Sequence, residues 1–418
     1  KERVTETLGD LYGMHWPFKQ HQTARNIKIF PHHEILKKNG ACFGVSGGYE
    51  RPMWFSMDNQ EPKYNYSYRY QNWYPSVEFE TKNCRKNVGL FDLTPFSKFE
   101  LKGDKAFEEL QRICTANIKN EPGKCVYTQM LNNDGGIEGD VTVVCLERNY
   151  FRIISSAATR ERDKFHINKN LTTNIELTDV TDKYCVFGLF GPKSRELITS
   201  ISKEDFSNKN FKFATGKKIK INNVDTWVQR LSYVGELGYE IYVEFDNAVE
   251  IYSLLINEGK KYNISNCGMH SLDIMRMENG FLHWGHDISP EENQYQAGLE
   301  FAISFKKNIN FIGKDSLLKI KDSKINKRLM MFRLKDTKPG EPLLLHDEPI
   351  YLDKKIIGRT TSGNYSFNFK KNLAFGYINN DFSDDELLNG NISIEIEKIK
   401  YPAEIIFKPL KQTNFKNN

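Results

Sequence analysis

The sequence predicts an α+β protein that ends in a small all-β domain, and three stretches carry that prediction. In YTQMLNNDGGIEGDVTVVCL (127–146), two alternating runs flank the turn cluster Asn132, Asn133, Asp134, Gly135 and Gly136, which reads as a β-hairpin. In AFEELQRICTANI (106–118), Phe107, Leu110 and Ile113 recur at the spacing of an amphipathic helix. After residue 326 the runs GEPLLL, EPIYLDKKIIGRTTSG, LAFGYI, ISIEIE and YPAEIIFKPL succeed one another between turns, the pattern of a small β-barrel or sandwich. A chain of 418 residues is too long for one core. We expect three parts: an aromatic connector over 1–75, a mixed domain over 76–325 and a C-terminal barrel over 326–418.

Residues 1–75 are turn-rich and aromatic. Gly13, Gly40, Gly44, Gly47, Gly48, Pro17, Pro31 and Pro52 interrupt the run too often for long helices, and only 31–38 reads as a short one. So short a segment cannot bury its rings alone, and it is expected to pack on the rest of the chain. From Val77 strands and helices alternate. A strand over 97–101 stops at Gly103 and leads into the amphipathic helix. After the hairpin, YFRIISSAATRERDKFHINKNL gives a strand ending at Ser155, a loop that is a candidate ligand contact, and a charged helix. TDKYCVFGLFGPKSRELI reads as a strand broken at Gly188, with Pro192 suited to the first turn of the next helix. In WVQRLSYVGELGYEIYVE a small-residue turn enters a strand over 239–243 that puts Glu240, Tyr242 and Glu244 on one face. Met269 to Asn279 is helical, with Gly280 in the position that ends it. A Lys/Asp-rich helix comes after Lys314, and the sets beginning near 97 and 184 read as two halves of related design.

Composition narrows the function. The net charge of +5 is spread over mixed Lys/Glu segments, and the modest basic excess near Lys398, Lys400, Lys408, Lys411 and Lys416 reads as solvated surface. No basic stripe interleaved with aromatics points to nucleic acid. Seven cysteines, odd in number, widely spaced and without a CxxC pair, read as reduced core residues. That implies the cytoplasm or another reducing compartment such as the mitochondrial matrix. No apolar run reaches membrane-spanning length, so no membrane role is expected. The chain opens on Lys1 rather than Met, which leads us to expect a segment upstream of it.

The residues with chemical potential are few. Strand alternation turns Asp140 away from Val141, Val143 and Cys145 on a strand that reads as half or wholly buried. A lone Asp beside a glycine turn is most often a cap or an arginine partner. Glu240 on a strand is most often solvent-facing, and Arg276 has an ordinary i, i+3 partner in Asp273. His283, His286 and Asp287 lack the regular face and the further ligand of a zinc site, so no metal is expected.

The hairpin with its Met-Leu pair, two glycines and Asp140 resembles the folate-binding aminomethyltransferase family, the glycine-cleavage T-protein group. So do Gly89, Phe91, Asp92 and Ser97, the stretch Gly235 to Glu240 (a GExGxE pattern), the RxExG pattern of Arg276, Glu278 and Gly280, and GRTTSGNYS and YPAEI in the last domain. Gly139 stands where the family often has a second acid, and Leu272 where many members have another Arg. The first departure is shared with dimethylglycine and sarcosine dehydrogenases, whose connecting region Tyr12, Gly13, His15, Arg25, Gly44, Glu50, Arg51, Pro52, Trp54 and Phe55 also resemble. The resemblance implies a T-protein-like fold that binds tetrahydrofolate and captures the methyl-derived carbon of an N-methyl amine as 5,10-methylene-tetrahydrofolate. It implies Asp140 as the catalytic carboxylate, Glu240 as the pterin anchor, and Tyr127, Glu236 and Arg276 as shaping the pocket. FAD is expected only on an upstream domain or a partner, because no GxGxxG comes after a strand anywhere in the chain. Two other readings stay open: a stand-alone folate-dependent demethylase of the dimethylsulfoniopropionate type, and a non-catalytic regulatory chain like the regulatory subunit of pyruvate dehydrogenase phosphatase.

Overall fold

The computed structural model describes residues 1–57, 60–411 and 416. The first segment contains α1 (Glu2–Asp10), α2 (His33–Lys38) and a hairpin of β1 (Ala41–Ser46) and β2 (Tyr49–Phe55). The sequence pattern suggested neither α1 nor the hairpin. Gly47 and Gly48, read as breakers, are the turn itself, with φ of 59° and 87°. Then come α3 (Tyr74–Lys86) and β3 (Val88–Asp92).

Two sheets of one design come next. The first is built from β4 (Ser97–Lys102), α4 (Ala106–Ile113), β5 (Cys125–Leu131), β6 (Ile137–Glu147), β7 (Tyr150–Ser155), α5 (Arg160–Asn170) and β8 (Leu177–Asp179). The second has β9 (Tyr184–Phe190), α6 (Ser194–Ser200), β10 (Gly216–Ile221), β11 (Val224–Gln229), β12 (Gly238–Glu244), α7 (Ala248–Gly259) and β13 (Ile264–Cys267). Strand order is β5-β6-β7-β4-β8 in one and β10-β11-β12-β9-β3-β13 in the other. In each half a strand, a helix and a three-stranded meander return to the starting strand, which gives physical content to the two-halves pattern. The expected break at Gly188 is absent. Strand β9 runs through it, and the glycine is needed for packing, because a Cβ there would lie 2.6 Å from the Phe190 ring and 2.9 Å from Leu93.

The sheets face each other. Val144 and Leu146 of β6 share a buried cluster with Val186, Phe190, Trp227 and Tyr242 of the second sheet. Helix α8 (Met269–Glu278) packs against α3, β2 and the last domain. Trp54 and Trp73 from the first segment join Ile274 of α8 and Tyr365 and Phe367 in one core, so these two tryptophans are buried where the parts meet, while Tyr12, Tyr68 and Tyr70 are exposed. After α9 (Gln294–Ala297) and α10 (Lys314–Lys321), six strands close a barrel: β14 (Lys327–Leu334), β15 (Pro349–Leu352), β16 (Lys355–Ser366), β17 (Lys371–Asn379), β18 (Ile392–Ile396) and β19 (Ile399–Ile406), with α11 (Asp384–Asn389) before β18. GEPLLL, expected as a strand, is a loop. Pro342 has no N–H for a ladder, and the adjacent Leu343 and Leu344 point into two different cores. All seven cysteines are buried free thiols. Among the described residues no helix is long and apolar enough to cross a membrane.

Candidate active site

The β5–β6 hairpin is held by its own turn. Asn132 Oδ1 accepts from the N–H of Asp134 at 3.0 Å and of Gly136 at 2.9 Å, and Gly135 has φ of 90°. A Cβ on Gly136 would lie 2.1 Å from the Pro290 carbonyl, so the loop before α9 fits only against a glycine. The turn sets the register in which Gln129 faces Asp140. Asp140 is half-buried, while Val141, Val143 and Cys145 lie in the core behind it. Gln129, fully buried, donates from Nε2 to Asp140 Oδ1 at 2.7 Å. Burial pushes the Asp140 carboxyl up to about 6, against the lowering effect of Gln129 and Tyr127.

The second sheet carries the counterpart. Gln229 faces Glu240 across β11 and β12 and donates to its Oε2 at 2.7 Å, where Tyr242 also donates at 3.1 Å. Burial raises the Glu240 carboxyl above the usual carboxylate range. The turn leading to it needs Gly235, whose φ is 70°, because a Cβ there would lie 1.8 Å from the Asn279 amide at the end of α8.

Both acids look into the space between the sheets. The charge of Glu240 reaches Cys125 on β5, and that of Asp140 reaches Tyr233 in the loop before β12. Tyr127 is 38% exposed, yet protein surrounds its phenol closely enough that burial holds it well above its ordinary pKa. Asp273 of α8 is likewise open at its carboxylate and hemmed in. Side chains that are both enclosed and reached by solvent line a cleft. At its rim Tyr127 stacks on the exposed Phe301, with ring centroids 6.2 Å apart. A separate surface groove of about 970 Å³ lies beyond β10 and α7, lined by residues such as Lys203, Lys218 and Asp225, and includes none of these groups.

Comparison with known proteins bears on this arrangement. Residues 32–307 match the family model "GCVT N-terminal domain", and residues 327–411 match "Glycine cleavage T-protein C-terminal barrel domain". The chain belongs to the glycine-cleavage T-protein family. Its fold is that of the glycine cleavage system aminomethyltransferase T of Bartonella henselae, with a TM-score of 0.78 over 93% of this chain and 99% of that one, at 20% identity. This T-protein-family chain is 37% identical over 410 residues to the 4-methylaminobutanoate oxidase (formaldehyde-forming) of Paenarthrobacter nicotinovorans, covering 98% of this chain and 49% of the relative. It is 32% identical over 383 residues to the mitochondrial dimethylglycine dehydrogenase of Rattus norvegicus, covering 90% and 44%. The chain thus spans about half the length of these curated relatives. It is an aminomethyltransferase-type domain related to dehydrogenases of N-methyl amines, in a family that binds tetrahydrofolate.

Among the described residues, the hydrogen bonds that Glu240 accepts, from Gln229 and Tyr242, both go to its Oε2. The Tyr127–Phe301 pair offers a flat aromatic face.

The five residues expected at the site do not all come together. Asp140, Glu240 and Tyr127 share the cleft. Glu236 is buried and held by Arg85 at 3.1 Å and Lys411 at 2.5 Å, in a network with Glu278 of α8. Arg276 is 1% exposed. It makes the expected pair with Asp273 at 2.8 Å and a second with the buried Asp287 at 2.6 Å, and it donates to Ser362 of the barrel at 2.8 Å. Its charge acts on Asp273 and on Tyr233, the tyrosine that the charge of Asp140 also reaches. Asp287, which the sequence places beside two histidines, also accepts from Thr361 and Ser362. Among the described residues, the acids and histidine near enough to share an ion are Glu6, Asp10 and His21, where Glu6 already accepts from Gln22 and Thr23 and Asp10 pairs with Lys19. Sequence reasoning missed Gln129 and Gln229. Each precedes its acid by eleven residues, a spacing that signals a cross-strand partner only once the register is known.

Proposed function

We propose that the chain is the tetrahydrofolate-binding half of a flavin-linked enzyme that demethylates an N-methylated amino acid such as dimethylglycine or sarcosine. A flavin-bearing portion, on the rest of a longer chain or on a partner, would supply the oxidation that takes two electrons and one hydrogen from the N-methyl group and leaves an iminium. Tetrahydrofolate, when bound, would supply the two nitrogens that take up the carbon as the 5,10-methylene bridge, with the demethylated amine as the leaving group and one proton released. The residues of this chain do the rest. Glu240 orients the pterin through its unengaged oxygen, and the Tyr127–Phe301 pair covers an aromatic face. Asp140, partly ionised near neutral pH, accepts the proton that the attacking nitrogen must lose. The relatives named for dimethylglycine and for 4-methylaminobutanoate support the substrate class, N-methyl amines that carry a carboxylate.

One observation carries this reading: two carboxylates, one on each sheet, each fixed by a cross-strand glutamine and each on the face its sheet turns toward the other. Calorimetry of the purified chain with tetrahydrofolate, together with an absorbance spectrum, tests it. Measurable heat of binding and no flavin absorbance are expected. A yellow protein, or one that gives no heat with tetrahydrofolate, overturns the reading.

A further inference from the structure

We propose that Gln294, through Gln129, is a positioning residue that locks the orientation of the Asp140 carboxylate in the cleft; this rests on the reading of Asp140 as the proton acceptor. A primary amide can exchange its oxygen and nitrogen by a half-turn of the side chain, so its direction is set only by its neighbours. Gln129 and Gln294 are both fully buried, so their directions are set by the protein groups around them. Gln129 Oε1 accepts from Gln294 Nε2 at 2.6 Å, and its own Nε2 donates to Asp140 at 2.7 Å. Reversing Gln129 would set oxygen against carboxylate and N–H against N–H. Gln294 is fixed in turn. It opens α9, whose first turn is closed by the reciprocal capping of Asn293 and Gln296. Its other Nε2 hydrogen goes to Thr115 Oγ1 at 3.1 Å, and Thr115 spends its own proton on the Ala302 carbonyl at 3.0 Å. From Gln294 to Gln129 and from Gln129 to Asp140 the donors run toward the acid, while Thr115, at the far end, sends its proton away to Ala302. One carboxylate oxygen is thereby occupied, and proton transfer falls to the other.

The second sheet repeats the device with different parts. Trp227 can only donate through its ring nitrogen, and it gives that proton to Gln229 Oε1 at 3.3 Å. Gln229 must therefore turn its Nε2 to Glu240 at 2.7 Å. The two acids sit in non-equivalent hairpins of the repeated sheets, one in the first hairpin of its meander and one in the second. The shared arrangement of donor, glutamine and acid is therefore not a by-product of the repeat.

The test uses Gln294→Met, which keeps volume and removes both polar atoms. In the folate-free protein, carbon-13 NMR of aspartate carboxyls, with the Asp140 signal assigned by its loss in Asp140→Asn, should show a titration midpoint near 6 for the parent. It should rise by about one unit in the variant, the scale of losing a well-directed hydrogen bond to a charged group. The acid limb of kcat/KM for methylene-tetrahydrofolate formation should move by the same amount, in a variant whose circular dichroism spectrum matches that of the folded parent. An unmoved carboxyl midpoint in folded Gln294→Met overturns the lock even if Asp140→Asn is inactive. Normal turnover by Asp140→Asn overturns instead the reading on which the lock rests. Should Gln294→Met fail to fold, Thr115→Val removes the acceptor that directs Gln294, and the same two measurements decide.

Discussion

Gln229 donates from Nε2 to Oε2 of Glu240 at 2.7 Å, across a register in which the two residues are Cα partners. Gln129 stands in the same relation to Asp140 at the same distance. A carboxylate on a sheet facing an interior cleft needs such a donor, because burial otherwise drives it toward the neutral form. An amide supplies the bond without neutralising the charge, as a lysine or arginine partner would. The acid therefore stays available to a ligand or a proton.

Asp140→Asn keeps the size of the side chain and removes the proton acceptor. Formation of methylene-tetrahydrofolate from tetrahydrofolate and formaldehyde should fall by about 10²–10⁴, the usual contribution of one general base, while calorimetric affinity for tetrahydrofolate stays near that of the parent. Unchanged turnover would return Asp140 to a turn-capping role. Lost affinity with normal turnover at saturation would make it a binding residue.

Glu240→Gln replaces an oxygen that accepts with an amide that presents N–H groups to the same ligand edge. Tetrahydrofolate binding should weaken by about 1–3 kcal/mol, the cost of losing a charged partner from enclosed hydrogen bonds. Calorimetry reads this directly, and parent-like affinity would place Glu240 outside the ligand contact.

The acids also give the fold a pH signature. Burial lifts Asp140 and Asp163 to about 6, above the roughly 3.9 of an aspartate in an unfolded chain. The folded state therefore holds these protons more tightly. The stability they contribute is fully present below about pH 4 and is lost as pH rises through about 6. In urea titrations between pH 4 and 7, Asp140→Asn and Asp163→Asn should each lose less stability over that interval than the parent. Parallel curves would mean that neither carboxyl is shifted.

Arg276 is expected to matter for assembly of the domains. Removing it leaves Asp287, which is fully buried, without its charge partner, so Arg276→Ala should destabilise the protein by about 3–5 kcal/mol. The double variant Arg276→Met with Asp287→Leu should recover much of the loss, since it leaves no buried charge unpaired. Chemical denaturation of the three proteins decides it. An Arg276→Ala variant as stable as the parent would show that the pair does not hold the barrel against α8.

By itself the sequence determined most of the local structure. The Asn-rich turn with Gly135 and Gly136 dictates the hairpin, alternation assigns Asp140 to the face opposite Val141 and Val143, and Gly280 ends α8 where its φ of 74° requires a glycine. Five of the last six strands were legible as a small β domain because short alternating runs between turns have few other solutions, whereas β14 was not legible as a strand and GEPLLL reads as one but is a loop. These are short-range properties, fixed by backbone sterics and by which side chains avoid water. What only the tertiary structure decided is partnership. Glu236 and Arg276 belong to motifs as clear as that of Glu240, yet they are spent on Arg85, Lys411 and Asp287, which come from distant parts of the chain. The glutamines that hold the two acids looked like ordinary strand residues until the registers put them opposite. Hydrogen bonds and ion pairs act over about 3 Å, and which groups come that close depends on how the sheets, α8 and the barrel pack, a long-range outcome that local periodicity does not encode.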